Sequence, residues 1–330
     1  MQMQNDVLSY KHLKPLIKWA GGKTRLNPQL LKVSEVALQL LKKEKFDYYE
    51  PFFGGGALFF ELYKNDKINK AYINDIIPHL VSFYKTVSNK NWLSSLLNEI
   101  DSLVNLFENG NQKKIYGSVK ENYGWVNEFN DLWVNKQPKT KTEKIKSAAL
   151  FYVLNKTGFN GMFRLNKQGK FNIPKGDSSK INFNEKVKNN FFEVSSVLEK
   201  SIIYCGSYNK ILPPENEIDK SSSFIYLDPP YIPYSKTSGF TDYSKEGFGE
   251  ADHKKVANIF HQLADGGYKV VLSNNANKEA NKMYARNNSV FAYEVEVSRS
   301  IAKTNKGKRP PSKELLVSSF NLDDLGLKKV

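Results

Sequence analysis

The sequence predicts an α/β fold: a parallel sheet of the Rossmann type, interrupted by a mainly helical insert that carries a β-hairpin. Three observations predict it. A strand, a glycine-rich loop, a helix and a second strand ending in an acid follow one another over residues 46–76. Buried-strand patterns return after about residue 194. The sequence between them is polar, rich in Lys and Asn, and helical in its patches, so it reads as an insert in one sheet domain.

Apolar residues recur at helical spacing over 33–43 and predict a helix before the first βαβ unit. "FDYYEPF" (46–52) is rich in aromatic residues and predicts a buried strand, and "ALFFELY" predicts the helix after the glycines. "KAYINDI" (70–76) predicts a second strand that brings Asp75 to its end. An acid at that point can hydrogen-bond the hydroxyls of a ribose. The simpler alternative is a surface Asp at a strand end.

The insert is predicted to span 85–190, between two parts of one domain formed by 1–84 and 191–330. It ends in "KTGFNGMFRLNKQGKFNIPKG" (156–176), in which glycines flank the strand-like runs "MFRL" and "KFNI". These signals predict a hairpin with exposed polar groups.

The remaining part of the chain predicts three more buried strands and a helix that stops at a glycine pair. A closing antiparallel pair is expected last, its strands joined by a basic loop. The segments are "SIIYCGSY", "SFIYLDPPY", "DHKKVANIFHQLADGG", "YKVVLSNN", "FAYEVEVSRS" and "ELLVSSF".

Charge points to a polyanionic partner. The 330 residues include 49 Lys and Arg and 34 Asp and Glu, a formal net charge of +15. Such a balance is typical of nucleic-acid binding, although a lysine-rich solubility coat gives the same number. Only five of the basic residues are arginines. Because arginine suits bidentate base recognition better than lysine does, an arginine in the hairpin is informative.

Several classes of protein are disfavoured. No apolar run of about 18 residues predicts a membrane span, and the polar stretch 1–14 does not resemble a signal peptide. Cys205 is the only cysteine, which excludes an internal disulfide and a Cys-rich zinc site. The four histidines do not combine with carboxylates at metal-ligand spacing, so no metal is expected. We expect a reducing, cytoplasmic setting.

Two glycine-rich segments resemble nucleotide-binding patterns but depart from them. "WAGGKT" (19–24) suggests a P-loop, but that pattern requires a glycine at position 17, which is Ile17. An ATPase or kinase is therefore disfavoured. "EPFFGGGALFF" (50–60) departs from GxGxxG at Phe59, yet it opens a helix after a strand, so its backbone can approach a nucleoside closely.

The sharpest signal is "DPPY" (228–231) at the carboxyl end of a buried strand, where open α/β sheets bind their ligands. A proline turn alone requires neither the acid nor the aromatic residue. Methyl transfer to an exocyclic amino group requires both the acid and the aromatic residue. The Asp228 carboxylate and the Pro229 carbonyl can accept the two N–H groups of a poorly nucleophilic amine, and Tyr231 can stack on a base that has left the duplex.

Taken in order, these segments resemble the Dam-type DNA adenine-N6 methyltransferases, the D12 class, with the motif order of the α group. The resemblance rests on "PLIKWAGGKTRL", "EPFFGGGALFFEL", "NDI", "LNKTGFNGMFRLNKQGKFNIPKG", "YCGSY", "DPPY" and "RSIAKTNKGKRPPSKELLV", and runs from about residue 14 to 320. It implies a methyltransferase sheet that binds S-adenosylmethionine, double-stranded DNA as substrate, and an insert that recognises the target. A cognate restriction endonuclease is a possible partner.

The resemblance also implies roles for individual residues. Asp228, Pro229 and Tyr231 would form the catalytic pocket. Contacts to S-adenosylmethionine would come from Trp19, Lys23, Glu50, Phe52, Gly54, Asp75 and Asp228.

The DNA-contacting residues implied by the resemblance lie mainly in the hairpin. Phe159 would wedge into DNA where family members often carry Tyr, and Asn160, Met162, Arg164 and Pro174 match positions that read GATC. Arg164 is expected on a guanine, with a phosphate contact as the alternative. Lys306, Lys308 and Arg309 would approach phosphates, or lie in a solvated loop.

Two other functions stay open from the sequence. Cytosine-N4 methylation also targets an exocyclic amine, although Asp at position 228 and the insert argue against it. A catalytically idle DNA-binding protein with a methylase fold is the other, although "DPPY", Trp19, Lys23 and Asp75 are all present. Cytosine-C5 chemistry requires a nucleophilic cysteine, usually after a proline, whereas Cys205 follows Tyr204.

Overall fold

A computed structural model describes residues 10–134, 137–214, 216–233, 248–286, 289–297 and 312–330. Within them, eight strands form one mixed sheet in the order β3-β2-β1-β4-β5-β7-β6-β8. The first five strands in this order are parallel, and β7, β6 and β8 pair antiparallel. The strands are β1 Phe46–Glu50, β2 Ile68–Asp75, β3 Ser201–Cys205, β4 Ser223–Leu227, β5 Lys269–Asn275, β6 Phe291–Val297, β7 Ser312–Ser318 and β8 Lys328–Lys329.

Both faces of the sheet are covered by helices, as a buried parallel sheet requires. In β4, Phe224 and Tyr226 enter one hydrophobic core, whereas Ile225 and Leu227 enter the other. Successive side chains of a strand point to opposite faces, so the uninterrupted apolar run of β4 serves both cores. The helices are α1 Asn27–Leu41, α2 Ala57–Lys64, α3 Pro78–Val87, α4 Lys90–Asn109, α5 Gln112–Tyr116, α6 Trp125–Val134, α7 Lys141–Thr157, α8 Glu185–Glu199, α9 Glu250–Asp265 and α10 Lys278–Tyr284.

The sheet reverses its winding between β1 and β4. From β1 the chain proceeds outward through β2 to β3, and from β4 it proceeds the other way to β5. The carboxyl ends of β1 and β4 therefore border the crevice at a topological switch point, where ligands bind in open α/β sheets. The expected α/β fold with its closing antiparallel pair is confirmed.

The stretch between β2 and β3 is helical, as predicted, and α7 is buried along most of its length. Thr140 caps this helix together with Glu143 in a capping box. From α6, the buried Asn130 side chain accepts a hydrogen bond from the Phe171 N–H (2.7 Å) and donates to its carbonyl (3.1 Å). These contacts hold the loop after α7 against the helices.

The hairpin differs from its prediction. The runs "MFRL" and "KFNI" share one isolated antiparallel bridge, Leu165 with Phe171, in place of two regular strands, and a second bridge, Gly158 with Lys175, lies outside both runs. Left-handed backbone at Asn160 (φ 55°) and Gly161 (φ 65°) interrupts the first arm. At the tip, the Asn166 side chain accepts hydrogen bonds from the N–H groups of Gln168 and Lys170. We call residues 158–176 the hairpin below.

No helix in the described part of the chain is both long enough and apolar enough to cross a membrane.

Candidate functional site

Three carboxylates meet at the carboxyl edge of the parallel sheet. Glu50 is the last residue of β1, Asp75 is the last residue of β2, and Asp228 directly follows β4. Because parallel strands end at the same edge, residues distant in sequence converge there. This confirms the strand positions expected for Asp75 and Asp228.

Asp228 carries two hydrogen bonds on one oxygen. Its Oδ1 lies 2.8 Å from Lys23 Nζ and 2.9 Å from Ser273 Oγ, which donates to it. Behind Ser273, the buried Tyr226 hydroxyl lies 2.8 Å from the serine oxygen. Burial raises the pKa of Asp228, and the Lys23 charge and the Ser273 hydrogen bond act against that rise. Oδ2 has no hydrogen bond to any described residue and is available to a ligand.

Tyr231 lies beside this carboxylate. Its hydroxyl donates to Glu314 Oε2 on β7 at 2.8 Å, which fixes the ring from the far side. Lys23 Nζ lies 4.2 Å from the ring centroid, a cation–π contact on one face of the ring. Pro229 is buried between Asp228 and Tyr231. Asp228 and Tyr231 therefore both contact Lys23, and Pro229 lies between them in the chain.

The segments around Trp19 and Gly54 touch each other. Gly54 has φ 49°, and a Cβ there would lie 2.8 Å from a ring carbon of Trp19. Glycine is thus required both for the backbone conformation and for the close approach. The Gly54 N–H donates to Asp75 Oδ2 (2.9 Å), and the Ile77 N–H donates to Oδ1 (2.9 Å). Asp75 therefore holds the glycine loop beside Trp19.

Burial raises the pKa of Asp75 to about 6, against the effect of the backbone N–H groups of Ile77, Gly54 and Ile76. A carboxylate has about four acceptor positions, so these backbone N–H groups leave room for a ligand hydroxyl. The geometry is compatible with the ribose contact expected for Asp75.

Glu50 is the least satisfied of the three acids. It is buried, and its Oε2 makes no regular hydrogen bond within the described part of the chain, although the nearby Tyr48 hydroxyl acts to lower its pKa. Burial, and then the Asp228 charge, raise its pKa. A buried acceptor without a partner is costly, which suits a ligand that donates hydrogen bonds or carries positive charge. Close to it in the chain, the half-buried Phe52 ring stacks on Tyr208, with 5.1 Å between centroids.

The hairpin presents the side chains expected to contact DNA. Phe159 is 46% exposed, Asn160, Arg164 and Pro174 are exposed, and Met162 is half-buried. The Pro174 carbonyl accepts from the Phe159 N–H at 2.9 Å and joins the two arms.

Arg164 is oriented by a neighbour in the other arm. Its Nε donates to Asn172 Oδ1 at 2.9 Å. The two terminal nitrogens have no hydrogen bond to any described residue. A guanidinium held by Nε presents its terminal pair for a bidentate contact.

Sequence reasoning missed three residues that support the site: Ser273, Tyr226 and Glu314. They lie on strands β5, β4 and β7, and only the order of the strands brings them to Asp228 and Tyr231. Lys306, Lys308 and Arg309, expected near phosphates, lie outside the described residues. Among the residues described, no cluster of three or more His, Cys, Asp or Glu side chains could hold a metal ion.

Comparison with known proteins points in one direction. Residues 19–301 match the family model of the D12 class N6 adenine-specific DNA methyltransferases. The chain is 36% identical over 271 residues to the type II methyltransferase M.MjaIII of Methanocaldococcus jannaschii, covering 80% of this chain and 85% of that protein. It is 30% identical over 299 residues to a DNA adenine methylase of Vibrio cholerae (90% and 94%). It is 29% identical over 314 residues to the type II methyltransferase M1.LlaDCHI of Lactococcus lactis subsp. cremoris (94% and 96%).

Proposed function

Because the chain belongs to the D12 class of N6 adenine-specific DNA methyltransferases, we propose that it transfers a methyl group from S-adenosylmethionine to N6 of an adenine in duplex DNA. We propose further that the adenine is flipped out of the helix and lies within GATC. The observation that carries the proposal is the Asp228 carboxylate, with Oδ2 unpartnered among the described residues, beside the Tyr231 ring.

Catalysis in this proposal is mostly positioning. Asp228 Oδ2 and the Pro229 carbonyl accept the two N–H groups of the adenine amine, which favours a pyramidal nitrogen with an available lone pair. Tyr231 stacks on the base and is held by Glu314. Lys23 and Ser273 occupy Oδ1, so only the other oxygen is free for the substrate. S-adenosylmethionine, when bound, would supply the methyl group on its sulfonium and depart as the neutral thioether, and the proton that N6 releases would pass through the Asp228 carboxylate to solvent.

The crevice residues fit this cofactor. The orphaned Glu50 oxygen suits a hydrogen-bond donor or a positive charge, and Asp75 suits the ribose hydroxyls. We assign Trp19, Gly54 and Phe52 to the walls of the pocket, since the glycine loop packs on the indole and Phe52 stays half-exposed beside it. Lys23 would lie between the cofactor and the base, next to Asp228.

We assign 85–190 to target recognition, and 1–84 with 191–330 to cofactor binding and catalysis. Support comes from the hairpin, where Phe159, Asn160, Arg164 and Pro174 are all exposed. Arg164 would read a guanine, because only guanine offers O6 and N7 together as two acceptors in the major groove. Type II relatives suggest a partner restriction endonuclease acting on the same site.

The test is methyl transfer from labelled S-adenosylmethionine to two duplexes that differ at a single base pair of GATC, followed by nucleoside analysis. We expect N6-methyl-2′-deoxyadenosine from the GATC duplex and little from the other. N4-methylcytosine would favour the alternative amine, and DNA binding without any methylated nucleoside would favour the idle protein. Equal methylation of adenine in both duplexes would contradict recognition of GATC but not methylation of adenine.

A further inference from the structure

One buried asparagine hydrogen-bonds two segments that face different ligands in the proposed function. Asn155, near the end of α7, donates through Nδ2 to the carbonyls of Lys18 and Gly161, each at 2.8 Å. Its Oδ1 accepts from the Lys18 N–H at 2.9 Å. Lys18 directly precedes Trp19 in the cofactor segment, whereas Gly161 lies in the hairpin. A single side chain therefore fixes the backbone of both.

An aromatic contact joins the same two segments. The Phe163 ring, beside Arg164 in the chain, stacks on Trp19 with 5.9 Å between centroids and 22° between planes. It also contacts His79 at 5.3 Å, four residues after Asp75. Phe163 is 8% exposed, so the contact belongs to the packed interior.

The packing leaves no room for the segments to slide past each other. A Cβ at Gly161 would lie 2.7 Å from the Lys18 side chain, and its φ of 65° favours glycine. The next residue of α7, Lys156, donates through Nζ to the Leu16 carbonyl at 2.7 Å. Movement of the cofactor segment must therefore move or strain the hairpin.

We propose that Asn155 is a positioning residue that couples cofactor binding to DNA sequence reading. The inference rests on the proposed function, because it needs both ligands. Because the two segments must move together, a ligand that favours one position of the segment around Trp19 also favours one position of the hairpin, and this raises the affinity for the second ligand. Coupling of this kind is reciprocal, so DNA must tighten cofactor binding by the same factor.

The chain offers two matched controls of similar burial. The Asn130 side chain hydrogen-bonds both the N–H and the carbonyl of Phe171 in the hairpin and makes no hydrogen bond to the described residues of the cofactor segment. The Asn190 side chain hydrogen-bonds both the N–H and the carbonyl of Lys14 and makes no hydrogen bond to the described residues of the hairpin. Asn130 and Asn155 are both 4% exposed and Asn190 is 2% exposed. General loosening should therefore be similar in all three alanine variants.

The experiment measures the Kd of a fluorescent GATC duplex by anisotropy, with and without the unreactive cofactor analogue sinefungin. We expect sinefungin to tighten wild-type DNA binding at least about fivefold, the lower end of typical coupling. In Asn155→Ala the factor should fall below about twofold, whereas Asn130→Ala and Asn190→Ala should keep the wild-type factor. Phe163→Leu removes the ring that stacks on Trp19 and should also lower the factor by which sinefungin tightens DNA binding. This variant tests the proposal if Asn155→Ala does not fold.

Three results would overturn the inference: a wild-type factor near one, an unchanged factor in folded Asn155→Ala, or an equal loss in Asn130→Ala. If Asn155→Ala does not fold, an unchanged factor in Phe163→Leu overturns it as well. Failure of the proposed function is a different result, namely a wild-type chain that binds neither the duplex nor sinefungin, or that methylates no adenine.

Discussion

Ser273 should set the pH at which methyl transfer begins. Its hydroxyl donates to Asp228 Oδ1 at 2.9 Å and lowers the pKa of that carboxyl against the effect of burial. In the proposed mechanism, Asp228 must be ionised to accept its N–H group of the adenine amine. Ser273→Ala removes a donor to the charged form, so the pKa of Asp228 should rise, and activity should be lost at a higher pH as the solution is acidified.

The size of the shift follows from the strength of the lost bond. A hydrogen bond to a charged group contributes about 1.5–3 kcal/mol, and one pKa unit corresponds to about 1.36 kcal/mol. The Asp228 side chain is only 17% exposed, so water replaces the lost donor poorly. We expect the acid limb of the kcat profile to move upward by about 1–2 pH units.

Tyr226→Phe is the matched control. It removes the hydroxyl behind Ser273 and keeps the serine bond to Asp228, so the acid limb should move by well under one unit. The assay is the initial rate of methyl transfer to a saturating GATC duplex across pH, with thermal melting to confirm that each variant is folded. An acid limb that stays in place in folded Ser273→Ala would refute the assignment of Asp228 as the titrating acceptor.

Four further predictions address cofactor binding, DNA binding and stability. Arg164→Ala should lose about 1–3 kcal/mol of discrimination at one G·C pair, measured as relative kcat/KM on GATC and its single-substitution variants, whereas a uniform drop would mark a phosphate contact. Since the pKa of Asp75 is raised to about 6, sinefungin binding should weaken as pH falls below 6, and Asp75→Asn should abolish this dependence. The folded state holds that proton more tightly than the unfolded chain, so Asp75 should make unfolding easier as pH rises from about 4 to about 6. With a net charge of +15, log Kd for DNA should change with log salt by about 0.9 per phosphate contact, and a flat response would indicate a solubility coat.

The sequence predicted the features that depend on local pattern. Asp75 and Asp228 lie at strand ends because apolar runs define where each strand stops, and the glycine turn at Gly54 is a local signal. Ser273 and Glu314 could not be placed, because β7 lies beside β5 in the sheet and sequence order does not dictate this. The runs "MFRL" and "KFNI" are predicted as strands, but only Leu165 and Phe171 form a bridge, and left-handed backbone at Asn160 turns the chain just before the first run.

The long-range contacts of the insert have no local signal in the sequence. Asn155 is one of many asparagines in the chain, and its bonds to Lys18 and Gly161 join positions up to 137 residues apart. No periodicity identifies such a residue. Contacts of this kind depend on how the insert packs on the cofactor segment.

The central claim is tested most directly by mapping N6-methyladenine at single-base resolution in the DNA of a methylation-deficient host that expresses this chain. The account predicts N6-methyladenine at GATC in cells that carry the wild-type chain, and none above background in cells that carry folded Asp228→Ala. N6-methyladenine at a different sequence would contradict the reading assigned to the hairpin. Unmethylated DNA with the wild-type chain, or equal methylation with Asp228→Ala, would contradict the proposed catalytic site.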